Sequence, residues 1–499
     1  MGFNLKLWLT VFFYALLAGA TVQFILLPHV FPSLHGGSGL MAGHDWNGFH
    51  QQAVEQALKI EKFGWQEFHL RPDGENAIAG LCSVLYYFIV PKPWTLLPIN
   101  AALFASAALA LFLLVKLLDV SDKVAVFAVI PFVFFPSSAV QFSQIHKDVF
   151  CTSGLLVILW CWVSLFARDL LLWKIMGIVA LGVLATGVVW LFRPYFMQIL
   201  LYSSGAFGAA YLLVGIVSSV KTRGSVQGAI SIKTFAMSLR PAVVMFVLSA
   251  VTYQYALYHL DLKFASTAIS SNGVGKRLDG ESTRNYGFQM PSVTLIPRSS
   301  MQSAEAAQIS EAGATSLNDF LADAAKYKRP VAVMKPDAPV ENFINKAALK
   351  LAIARGGFTN SGKDAATNID RDIVFYGPAD VLRYIPRALQ IGFFAPFPNA
   401  GFFAENPKSS RMEIYISILE MLICYVALLG WFHWILTVRK SSAPLWVPVI
   451  FAGGVILLMG LTVANVGTLY RMRFPFMMCF VAFGIAGLLQ FSRQNFKSK

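Results

Sequence analysis

The sequence predicts an all-α polytopic membrane protein with about ten transmembrane helices and a mixed, mainly helical outer domain, and three observations predict it. Of 499 residues, 56% are hydrophobic and only 13% are charged, against roughly 25% charged in ordinary globular domains. The mean hydropathy is +0.60. A soluble chain of this make-up lacks the polar groups to cover its own surface, which excludes a soluble enzyme, a disordered protein and a fibrous protein. The second observation is a succession of apolar runs of about 20 residues, the length that crosses a bilayer. The third is a segregation of charge between the loops that join them.

The runs fall at approximately 7–27, 95–118, 123–142, 149–167, 170–192, 195–219, 241–260, 412–437, 445–465 and 474–491. The first carries Ala18-Gly19-Ala20, of signal-cleavage form, but apolar residues continue to Leu27, which suits an uncleaved anchor. Between the fifth and sixth runs stand only Arg193 and Pro194, and a proline beside a charge is a natural reversal point. With the N-terminus cytoplasmic, the inner loops and ends hold fourteen basic residues against Asp119, Asp122 and Asp169, a net of +11 out of the protein's +14. This is the positive-inside signature. It accounts for the basic balance without nucleic acid and puts both termini in the cytoplasm.

Two outer segments follow, roughly 28–94 and 261–411. The chain therefore divides into an N-terminal transmembrane module (1–260), an outer soluble or interfacial domain (261–411) and C-terminal transmembrane helices (412–499). Residues 261–411 hold 18 basic and 14 acidic residues, a near balance that suits water. Ser303–Ala314 and Ser316–Pro330 read as helices, with Ser316 as N-cap and Pro330 as stop. Val381–Pro398 is apolar yet broken by Arg383, Arg387 and three prolines, a pattern for lying along the interface rather than crossing it. All five cysteines sit in apolar stretches, where free Cys behaves as a small hydrophobe. There is no internal repeat and no low-complexity tract.

Three outer places carry chemistry. Gly43-His-Asp-Trp-Asn-Gly-Phe-His50 precedes an amphipathic run from Gln51 to Phe63; Asp45 there either faces a lipid headgroup or caps the helix behind it. Lys147 and Asp148 stand at the outer mouth of an apolar helix, as interfacial anchors or as part of a substrate path. Arg471 and Arg473 occupy a very short outer loop, against the positive-inside trend. Their planar forks suit a phosphate, while snorkelling to the headgroups is the plainer reading. Other patterns fail: Ser271–Arg277 lacks the first glycine and the Ser/Thr of a phosphate loop, and there is no H-E-x-x-H or paired C-x-x-C. His44 and His50 are a weak metal pair, and no cytoplasmic loop is long enough for a nucleotide-binding domain.

Taken in order, these motifs resemble the bacterial GT-C glycosyltransferases, the group that includes protein mannosyltransferase-like (family 39) and aminoarabinose transferase-like enzymes. The resemblance rests on Asp45, the surface helices leading to Leu85-Tyr86 and Pro98-Ile-Asn100, Pro136-Ser with Lys147-Asp148, the large late outer domain, and Tyr470-Arg-Met-Arg473. It covers the first 200 residues best and the last 120 moderately, and leaves 261–380 unmatched. Many members carry Glu or Asp-Glu where this chain has Lys147-Asp148. The resemblance implies a GT-C fold and transfer of a sugar from a polyprenyl-phosphate donor to a glycan, lipid or protein hydroxyl, on the outer face of the inner membrane. It implies Asp45 as catalytic base and Asp148 as a second catalytic carboxylate. Lys147, Arg71, Arg471 and Arg473 would lie at the donor phosphate, and His44, His50, Glu67 and Arg193 around the acceptor cavity. The one cofactor left open is a divalent cation, with Asp148 as its ligand. Competing readings are an O-antigen polymerase or ligase using a lipid-diphosphate carrier, and a lipid-linked glycan transporter.

Overall fold

In a lipid bilayer apolar surface gains little by leaving the solvent, so helices associate through close packing of small residues. The fourth helix shows this: α4, Leu97–Lys116, buries Ala101, Ala105 and Ala108 together with Phe104, Leu111 and Phe112. The computed structural model describes residues 2–42, 45–72, 77–167, 171–207, 209, 343–361, 367–375, 377–397, 411–437 and 446–497. The other helices are α1 (Phe3–Thr21, continued by wider π-helical turns over Val22–Val30), α2 (Asp45–Phe63), α3 (Ala77–Phe88), α5 (Asp122–Phe134), α6 (Pro136–Ser143), α7 (Lys147–Ala167), α8 (Leu172–Phe192) and α9 (Phe196–Phe207). They are followed by α10 (Phe343–Ser361), α11 (Pro378–Phe394), α12 (Arg411–Thr437), α13 (Trp446–Thr462), α14 (Val466–Met472) and α15 (Phe474–Lys497). Among the described residues there is no strand; the β pairing is confined to two single bridges, His35 with Met41 and Asn368 with Asn465.

The chain is a helical membrane protein. Five helices are long and apolar enough to cross a bilayer, or seven if α5 with α6 and α14 with α15 each count as one crossing. That is fewer than the ten runs of the sequence. The run at 241–260 and the outer helices expected within 303–330 lie outside the described residues, and of 195–219 mainly the short α9 is described. The run at 445–465 becomes a helix of 17 residues. The run at 123–142 is bent by 63° between α5 and α6. Phe135, forced by Pro136 out of helical geometry, is extended there (φ −61°, ψ 132°), as the residue before a proline tends to be.

The described residues fall into two units. The first comprises α1 to α9, the later part of α12, the start of α13, and α15. Here α4 packs against α1, α5, α6 and α7, and α7 packs along α8. The Phe104 ring lies 4.8 Å from Phe132 and 4.6 Å from Phe142. Helices α12 and α15 cross at Gly430, Gly484 and Gly487. A side chain at Gly484 would collide with the main-chain oxygen of Ala427, and one at Gly430 with that of Gly484. Lying against α3, the amphipathic α2 buries Trp46, Phe49, Ala53, Ala57 and Ile60 at helical spacing.

The second unit holds α10, α11, the start of α12, the end of α13, and α14. Its hub is Arg355, 2% exposed, which donates to the carbonyls of Ile373 (3.0 Å), Leu461 (3.0 Å) and Asp370 (2.6 Å). Asp370 in turn accepts from Tyr384 Oη (3.0 Å) and from Arg387 Nε (2.8 Å) and Nη2 (3.2 Å). Those bonds hold the loop 367–375 onto α11. All five cysteines are free and buried, as their apolar surroundings in the sequence require.

Candidate functional site

Polar side chains gather at one end of the first unit, where α7 begins and α8 ends. The loop before α7 is pinned from three sides. Asn100 of α4 donates to the carbonyls of Phe142 (2.9 Å) and Gln144 (3.1 Å), Gln23 of α1 donates to that of Ser143, and Gln144 Oε1 accepts from Met41 N (3.0 Å). Met41 O then takes the Trp46 and Asn47 side chains of α2, each at 2.7 Å. One network thus sets the start of α2 and the start of α7.

On that frame, Asp148 is 3% exposed and its Oδ1 is held by Arg193, the residue that ends α8. Arg193 also donates to Tyr195 Oη and lies over that ring, 5.8 Å from its centroid. His146 Nδ1 stands 3.0 Å from Asp148 Oδ2 and accepts from Asp148 N at 3.1 Å. A ring nitrogen that accepts the main-chain N–H carries no proton, so in this tautomer the Oδ2 contact is not a hydrogen bond, and among the described residues Oδ2 accepts none. The His146 ring meets Trp46 edge to face at 5.7 Å. Lys147 Nζ sits 5.7 Å above the Phe49 ring.

The other expected site residues take these places. Asp45 is exposed in the first turn of α2, where the helix dipole favours an anion, one residue from the Trp46–His146 contact. Arg71 donates to the carbonyls of Trp190 (3.4 Å) and Leu191 (3.0 Å) at the end of α8 and stacks 5.5 Å over Trp190. His50, one turn along α2, meets Tyr86 Oη at 2.7 Å. Burial, and then Lys92, lower the His50 pKa, while burial pushes the Tyr86 hydroxyl up; the pair is held as neutral imidazole and neutral phenol, and the imidazole tautomer sets which of the two donates. Glu67 closes the short turn Trp65–Glu67 beyond the far end of α2, a helix length of about 27 Å from Asp45. His44 lies outside the described residues.

Arg471 and Arg473 belong to the second unit. Arg473 is 1% exposed. It donates to the carbonyls of Ile391, Gly392 and Ala395 at the end of α11, with Met421 Sδ at 3.3 Å. Its fork is spent on the orphan carbonyls that every helix end leaves, which corrects its reading as a phosphate ligand. Arg471 is half-buried in α14. Beside them Tyr470 donates to Glu420, a carboxylate 2% exposed within α12.

The described residues around Asp148 assemble no ligand set for a divalent cation. One of its oxygens is bonded to a guanidinium, and among the described residues no three His, Cys, Asp or Glu side chains converge. Sequence reasoning missed His146, Gln144, Gln23 and Trp46. Only the adjacency of His146 to Lys147-Asp148 gave any signal. It missed Arg355 and Asp370 as well. No protein-family model, curated protein or solved structure matches this chain.

Proposed function

We propose that this protein is a membrane glycosyltransferase of the bacterial inner membrane, with both termini cytoplasmic. It moves a sugar from a polyprenyl-phosphate donor to a glycan, lipid or protein hydroxyl on the outer face. One observation carries the reading: the exposed carboxylate of Asp45 and the cationic groups of Lys147, Arg193 and Arg71 are drawn to the same end of one helical unit, around the buried Asp148. In the proposed step Asp45 takes the proton of the acceptor hydroxyl and that oxygen bonds to the anomeric carbon. The bond from that carbon to the phosphate oxygen breaks, and its electron pair leaves on the phosphate. Lys147 matches the added charge. Asp148 fixes Arg193 and the start of α7, so the cationic groups are in place before the charge develops.

The purified protein in nanodiscs, offered a panel of synthetic polyprenyl-phosphate sugars and hydroxyl acceptors, tests this. Asp45→Asn is expected to lower turnover by about 10²–10⁴-fold, the usual contribution of a general base, with the unfolding midpoint unchanged. Turnover close to wild type in that variant would return Asp45 to a helix-start role. Transfer from lipid-diphosphate carriers alone would favour the polymerase or ligase reading.

A further inference from the structure

Helix α11 has three faces. Val381, Tyr384, Ala388, Ile391 and Gly392 form the buried one. A second strip, at spacings of four and three residues, is apolar and open: Leu382 is 65% exposed, Pro386 is exposed and Leu389 is 37% exposed. The third bears Arg383, Arg387 and Gln390. Arg387 is bonded to Asp370 and Gln390. The Arg383 side chain is 83% exposed, with Asp380 Oδ1 at 4.0 Å, a separation too long for a strong pair.

An open apolar strip beside a basic one suits neither water nor the centre of a bilayer, but it suits the boundary between them. The buried face fixes the helix near that boundary. It rests on the last turns of α13, where a side chain at Gly460 would collide with Ala388 and one at Gly392 with Ile456, and α13 contains no charged residue from Trp446 to Thr462.

We infer that α11 docks on the bilayer surface, with Leu382 and Leu389 in the outer hydrocarbon and Arg383 bound to the phosphate of an anionic lipid headgroup. A basic side chain near an anionic surface corresponds to about fivefold enrichment of such lipids. This inference is independent of the reaction catalysed.

The test uses the full chain in nanodiscs. Because all five native cysteines are buried, a bimane fluorophore can be placed by Leu382→Cys, Leu389→Cys or Arg383→Cys. At 382 and 389, brominated lipids should quench strongly and aqueous iodide weakly, with the reverse at 383. From position 389, brominated phosphatidylglycerol should quench about fivefold more effectively than brominated phosphatidylcholine, and Arg383→Gln should abolish that preference. Iodide quenching at 382 and 389 equal to that at 383 would overturn the docking. Equal quenching by the two lipids, or a preference that survives Arg383→Gln, would overturn the headgroup contact. If a cysteine variant fails to fold, the lipid dependence of the unfolding midpoint replaces it: phosphatidylglycerol should stabilise the wild type and not Arg383→Gln, and equal shifts would overturn the contact.

Discussion

Asp148 and Arg193, 45 residues apart in sequence, are bonded side chain to side chain where α7 starts and α8 ends, and both are largely buried. A buried pair adds little to stability over an apolar substitute, but removing one partner strands the other charge. Arg193→Met is expected to destabilise the protein by about 3–5 kcal/mol, and the double variant Asp148→Leu with Arg193→Met by markedly less. Unfolding midpoints in detergent check this; equal losses in single and double variants would show that the pair is not what holds the two helix ends.

Arg473 and Arg471 should part company when each becomes lysine. Arg473→Lys keeps the charge but not the fork over three carbonyls, so it should cost about 3 kcal/mol, the scale for lost bonds to a charged donor. Arg471→Lys should leave the midpoint in place and raise the donor KM if Arg471 contacts phosphate. An unchanged KM would leave Arg471 as a snorkelling side chain.

His50 should make the first unit acid-sensitive. Its pKa is lowered by burial, so the unfolded chain binds the proton more readily than the folded one. Its contribution is complete above the unfolded value of about 6.5 and declines as pH falls below it. The midpoint of wild type relative to His50→Phe, followed downward from neutral pH, should fall over that window. A difference that stays level would dissociate His50 from the effect.

Asp370 acts at lower pH. The hydrogen bond from Arg387, with help from Tyr384, holds its carboxyl below the usual range despite partial burial. Its stabilisation is present above about pH 4 and is lost as pH falls through the folded value. Asp370→Asn should destabilise the protein at neutral pH and flatten the acid limb, which a pH series of unfolding midpoints reads directly.

Gly80 lets α3 pass directly over the main chain of Leu70, where a side chain would strike the Leu70 carbonyl. Gly80→Ala should displace the adjacent Arg71 from the end of α8 and cost activity as well as stability. Crosslinking between cysteines placed at 71 and 191 should weaken accordingly, and crosslinking at the wild-type rate would contradict that geometry.

The helical membrane class was legible because it depends on bulk composition and run length, which tertiary contacts do not rewrite. The stretch 123–142 shows the limit: its apolar content fits one crossing, but Pro136 decides the backbone locally and bends it. At the site, Asp45 stands out as an acidic residue in the first outer segment and Asp148 as a carboxylate at the mouth of an apolar helix. Their setting does not, because Asn100, Gln144 and His146 act across separations of up to about a hundred residues, with no period in sequence. Arg473 shows the reverse case. Its place in a short outer loop suggests a phosphate or the headgroups, whereas the carbonyls at the end of α11 occupy its fork.

The glycine crossing of α12 and α15 has a mechanical consequence. With main chain against main chain at Gly430 and Gly484, and Gly487 one turn on, only Leu488 and Trp434 reach in at the edges between the two rods. Sliding along either axis would drive a neighbouring Cβ into a carbonyl, whereas rotation about the crossing keeps the contact. A side chain at any of the three would therefore have to push the rods themselves apart, not merely another side chain, which makes this crossing the least tolerant of bulk along either helix.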